Sequence, residues 1–181
     1  MYSNRFEEIK VSLRGSRNNM RQALATIDEL SKLDTDVAIK ILKRLYQEEN
    51  STLRMFAAMG FKSHRTETSW EMLLDILATE SDSNVLAEAI RSLAEFGNRA
   101  VFPLKQLFER SSDWLVREII ITVLIDTSKD PHVLIDAAKI ALANENKSTK
   151  ELGVVALSRL LNTPLKQQAI DLFIQLAQDT N

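Results

Sequence analysis

Cysteine is absent from the 181-residue chain, which excludes disulfide frameworks, thiol nucleophiles, iron–sulfur clusters and thiolate zinc sites. Its absence makes a reducing compartment the simplest setting. Glycine and proline are scarce, at 4 and 3 residues, too few for the many tight turns of a β-rich or α/β chain. An all-α protein is expected before any pattern is read. An excess of one charge is lacking too: 23 Lys and Arg stand against 25 Asp and Glu, so no strong field invites nucleic acid or an anionic membrane. The longest apolar run, Ile119 to Ile125, is interrupted by Thr122 and flanked by Glu118 and Asp126, far short of a bilayer span. The first twenty residues carry Arg5, Glu7, Glu8, Lys10, Arg14 and Arg17 and offer no apolar stretch for a signal peptide. The expectation is a cytoplasmic protein that does not enter the membrane.

What the chain does contain is 45% hydrophobic residues arranged in a repeat. Met20-Arg21, Leu53-Arg54, Leu86-Ala87, Val116-Arg117 and Thr149-Lys150 follow one another at steps of 33, 33, 30 and 33 residues. From each first residue, positions +3, +4 and +7 read Ala23/Leu24/Ile27, Phe56/Ala57/Gly60, Ala89/Ile90/Leu93, Ile119/Ile120/Val123 and Leu152/Gly153/Ala156. Only Gly60, Thr149 and Gly153 in this set are not apolar, and the 0, 3, 4, 7 spacing is one face of an α-helix. A second helix follows in each unit, marked by Ile41/Leu45, Leu73/Leu77, Leu104/Phe108, Ala137/Ala141 and Ala169/Phe173.

Capping chemistry separates these helices. Asn18, Asn50-Ser51, Asp82-Ser83, Ser112-Asp113 and Asn146 to Ser148 introduce the first helices. Asp34 to Asp36, a capping box from Thr68 to Glu71, Asp130 before Pro131 and Thr163 before Pro164 introduce second ones. Pro103 fits only if its helix begins near Ala100, so that the missing N–H falls among the first-turn donors. A pair of amphipathic helices cannot bury its own apolar face, so stacked copies share a core. Five units are expected near 18–49, 50–81, 82–111, 112–144 and 145–181. Phe6, Ile9 and Leu13 predict an extra capping helix within 1–17, and Asp179 to Asn181 reads as the cap of a further helix at the other end.

Leu53-Arg54-Met55-Phe56-Ala57-Ala58 and Val116-Arg117-Glu118-Ile119-Ile120, with the Ala-x-x-Pro-Leu step of Ala100 to Leu104, resemble the HEAT-like repeats of the phycobilisome lyase type. The resemblance covers about residues 18–181. It implies a right-handed α-solenoid of about five HEAT-like helix pairs, with the extra N-terminal helix in front. It further implies a non-catalytic scaffold or adaptor that binds another protein on its concave face, in phycobilisome maintenance with a phycobiliprotein as partner on the narrow reading. A subunit of a bilin lyase and a nucleic-acid-binding HEAT-like protein are the alternatives.

Second helices of such a solenoid line the concave side. Their polar faces present Lys40, Lys43 and Arg44, then Glu71 and Asp75, then Lys105, then Asp136 and Lys139, a stripe whose sign alternates as a protein surface would. Tyr46, Trp70 and Trp114 are the aromatics that could join it. Arg21, Arg54, Arg117 and Lys150 recur one residue from the buried stripe and are expected to bridge between units rather than hold a ligand. His64 and His132 lack ligand spacing and are placed in turns, so no metal is expected. No phosphate loop or nucleophile elbow is present, Glu7-Glu8 and Glu48-Glu49 read as solvated, and no cofactor is expected. The acid-free run Lys10, Arg14, Arg17, Arg21 is the one feature favouring nucleic acid, without interleaved aromatics.

Overall fold

A computed structural model describes residues 2–14 and 20–179, with eleven α-helices and no strand among them. These are α1 (Tyr2–Arg14), α2 (Met20–Ser31), α3 (Thr35–Tyr46), α4 (Ser51–Phe61), α5 (Glu67–Thr79) and α6 (Ser83–Ala94), then α7 (Val101–Arg110), α8 (Trp114–Thr127), α9 (Pro131–Leu142), α10 (Lys147–Leu160) and α11 (Lys166–Asp179). The all-α solenoid class expected from the period is the one found. None of these helices is long and apolar enough to cross a membrane. The chain divides into two compact units, Met1–Phe96 and Gly97–Asn181, the division falling inside the pair expected over 82–111. Asn18, Arg17, Thr180 and Asn181 lie outside the described residues, as do the side chains of Met20 and Asp179.

In the first unit α4 has no exposed residue, and its Leu53, Phe56, Ala57, Ala58 and Phe61 are fully inaccessible. Its Gly60 lets it close on α3, since a Cβ there would run into the Leu42 side chain. Helix α1 buries Phe6, Ile9 and Leu13 as their spacing predicts, against α2 and α4. In the second unit the left-handed Gly97 (φ 67) opens a 3-10 turn, Gly97–Ala100, that leads into α7. Pro103 therefore sits in the first turn, where its missing donor leaves no hydrogen bond unmade. Of the repeat-stripe residues with described side chains, only Leu24 is exposed and Leu152 half-buried; the rest are buried.

Asp34, Asn50, Asp82, Asp113, Asp130 and Asn146 each accept backbone N–H groups at a helix start, as expected. Two starts move. The cap of α5 is Thr66, whose hydroxyl accepts from Ser69 N at 3.1 Å, and Thr68 lies inside the helix. The shift follows from Ser69, which donates to the His64 carbonyl and fixes the turn two residues earlier. Helix α11 begins at Lys166 rather than after Thr163, because Thr163, Pro164 and Leu165 form a turn closed by Thr163 Oγ1 on Leu165 N at 3.2 Å.

Candidate functional site

Helix α8 is joined to α7 and to α9 by three-residue links, so it runs opposite to both, and its Ile121 and Leu124 floor the hollow between them. The remaining apolar lining comes from Phe108 of α7 and from Val133, Ala137 and Ile140 of α9. Val133, Asp136, Ala137 and Ile140 follow i, i+3, i+4, i+7, so one face of α9 forms a wall. The hollow holds about 350 Å³. Its rims are charged: Lys105 and Glu109 on α7, Asp136 and Lys139 on α9, with Lys105 Nζ 3.6 Å from Asp136 across the mouth. Lys139 also borders a second hollow with Leu142, Leu172 and Leu176, between α9 and α11.

The expected stripe residues Lys105, Asp136 and Lys139 are thus brought together on one groove. Phe108, Ile121, Leu124 and Ile140 were not foreseen as groove residues, since Leu104/Phe108 read as a core pair. Leu104 and Leu107 are the buried pair instead, and Phe108 is half-exposed. The available signal was α9 itself, apolar on more faces than one core requires.

In the first unit Lys40 and Lys43 are exposed on α3, and Glu71 and Asp75 on α5. Arg44 is drawn away from such a stripe: its guanidinium lies 4.0 Å above the Phe6 ring and 4.0 Å from Glu7 Oε1, holding α1. Tyr46 is half-buried. Burial raises its hydroxyl pKa, with the charges of Glu80 and Asp75 in support, against a hydrogen bond with Thr79 and the charge of Arg54. Trp70 leaves the surface altogether and tilts against Phe96, with ring centroids 5.3 Å apart. Trp114 is 70% exposed.

The recurrent arginines are structural where they are half-buried. Arg54 donates to the carbonyls of Glu48 (3.2 Å) and Glu49 (2.8 Å), just past α3, and both its Nε and Nη2 reach the Glu80 carboxylate. Arg117 donates to the carbonyls of Phe108 and Ser111 at the end of α7 and stacks 3.9 Å from the Phe108 ring. A cation is favoured there because the last carbonyls of a helix are unpaired and carry the negative end of its dipole. Arg21 and Lys150 are exposed.

Glu48 is not solvated as expected but half-buried, 2.6 Å from Lys10 and 3.4 Å from Arg14, so its single negative charge is shared by two cations of the basic run. His64 is buried, its Nε2 donating to the Leu30 carbonyl at 3.1 Å, which pins the α4–α5 turn to the end of α2. His132 is exposed in the first turn of α9. Among the described residues no group of three His, Cys, Asp or Glu could hold a metal ion.

Recurring helix pairs joined by short links, with a groove between the second helices α7 and α9, define a helical-repeat protein. The chain belongs to the HEAT-repeat family: HEAT repeats match residues 40–125 and again 70–158. The two placements are displaced by about one unit, as a translational repeat requires. No curated protein matches the chain.

Proposed function

We propose that this HEAT-repeat chain is a non-catalytic adaptor that binds another protein on the face formed by its second helices. The observation that carries this is the groove between α7 and α9, where an apolar floor is framed by charges of both signs. An apolar centre within a polar rim is how protein interfaces are built. In the first unit, taken by itself, Lys40 and Lys43 on α3 and Glu71 and Asp75 on α5 are exposed and offer a second patch of mixed sign.

A photoreactive residue replacing Lys139 should crosslink a partner in the native cell, and one replacing the exposed Lys150 on α10 should not. Adding Lys105→Glu should weaken that crosslink. Equal crosslinking from both positions would discard this face.

The narrower phycobilisome setting rests on the hydrophobic-Arg openings. Arg54 and Arg117 serve as helix-end caps, a task common to any stack of helix pairs, which supports the scaffold and adds nothing toward bilin chemistry. Mixing the protein with free bilin and an apo-phycobiliprotein should yield no covalent chromophore; transfer would overturn the non-catalytic reading. Pairing of Lys10 and Arg14 with Glu48 weighs against nucleic acid, and a salt-sensitive shift of duplex DNA would reverse that judgement.

A further inference from the structure

We propose that the groove between α7 and α9 receives an amphipathic α-helix of the partner protein, with apolar residues at i, i+3 or i+4 and i+7 between charged flanks. The inference rests on the protein-binding reading above and narrows the kind of partner. The Lys105–Asp136 contact sets the level of the two walls. On that register Phe102, 69% exposed and one turn before Lys105 on α7, lies just beyond the groove's lining, toward the Val133 end. Glu109 stands level with Ile140, 37% exposed, at the other. The interval is two helical turns, about 10 Å at the α-helical rise.

An extended peptide laid over this floor would turn backbone N–H and C=O groups toward carbon. The walls are helices whose own backbone groups are bonded internally. Among the described residues lining the groove, no Asn, Gln, Ser or Thr offers a neutral hydrogen bond, and the four polar side chains are all at the rim. A helix brings its backbone already satisfied and presents only side chains.

The rim charges fix which helix. Along α7 the order is Lys105 then Glu109; along α9 it is Asp136 then Lys139, so the sign alternates both along and across the groove. A complementary helix carries acid then base on the flank facing α7, and base then acid on the flank facing α9. A uniformly charged helix or a phosphate backbone meets like charges at two corners. The Lys105–Asp136 bridge does not bar entry. Opening an exposed pair weakens binding by about fivefold at most, whereas seating one large apolar anchor strengthens it by roughly tenfold to a hundredfold.

The test is a display selection against the full chain from two libraries of about 15 residues, one held helical and one unstructured. The expected winners are helices with the stated apolar spacing and flank charges, each weakened at least tenfold by Ile140→Glu and by Phe102→Ala in protein whose circular dichroism is unchanged. Reselection against Lys105→Glu/Lys139→Glu should return basic residues at the positions facing 105 and 139. Winners with apolar residues at i, i+2, or with a central Pro, that still lose affinity to Ile140→Glu would overturn the helix inference and leave the protein-binding groove standing. Winners indifferent to Ile140→Glu, or no winners, would overturn both.

Discussion

Arg54 spans three segments of the first unit: it caps the chain leaving α3, lies on α4, and meets Glu80 at the end of α5. Its position was legible because it recurs in the repeat. Glu80 was not, because nothing in spacing announces a partner 26 residues away. The Glu80 side chain is only 5% exposed. Burial by itself would raise its pKa, but the Arg54 hydrogen bond, the N–H groups of Asp82 and Ser81, and the Arg54 charge together hold it below the ordinary carboxylate value. Arg54→Met strands that carboxylate and should destabilise the chain by about 3 kcal/mol in urea melts, with Arg54→Met/Glu80→Gln recovering part of the loss. The folded pKa is depressed, so this stability is present above the unfolded carboxyl pKa and lost as pH falls through the folded one. Glu80→Gln should therefore show a shallower acid decline than wild type. Gly153 illustrates another constraint that sequence reading passes over. A Cβ there would meet Leu142 Cγ at 2.9 Å and the Ala138 carbonyl at 3.1 Å, and backbone cannot step aside. Gly153→Ala should lower stability by about 1–3 kcal/mol despite alanine's better helix propensity, and an unchanged melting midpoint would show that α9 and α10 have slack.

For the elements, period and caps were readable because both are local: an apolar stripe every 3.6 residues, and a short polar side chain just before it. The miss at α5 came from two threonines within three residues, both able to cap. Ser69 decides between them through its bond to the His64 carbonyl, a contact set by the turn rather than by the box motif. Thr66→Ala should cost about 1 kcal/mol, the usual value of a lost N-cap, whereas Thr68→Ala should fall within about 0.5 kcal/mol of wild type. The reverse order would restore Thr68 as the cap. The groove was only half legible for a related reason. Its rim charges show in any helical projection, but its floor belongs to α8, whose Ile121 and Leu124 are indistinguishable in sequence from the residues of a closed core.

At the scale of the whole molecule, a repeat protein holds each helix pair by contacts with its neighbours, so protection should follow burial along the chain rather than rise in one step. Within the first unit α4 carries five fully inaccessible apolar side chains and packs closely on α3 and α6. Within the second, α8 and α9 each bury half of their residues, whereas in α11 Ile174 is 52% exposed and Leu172, Phe173 and Leu176 are only half-covered. Few buried contacts mean that α11 opens without the rest of its unit unfolding. Amide exchange followed by mass spectrometry should show α11 exchanging first and α8 and α9 last in their unit, with α4 the slowest helix of the other. Adding a groove-binding helix should then slow exchange in α7 and α9 while leaving α4 unchanged, because only the former pair forms the walls. Protection uniform from α8 through α11 would mean that the second unit opens as a single block, and its stability could not be the neighbour-by-neighbour sum that a stack of helix pairs implies.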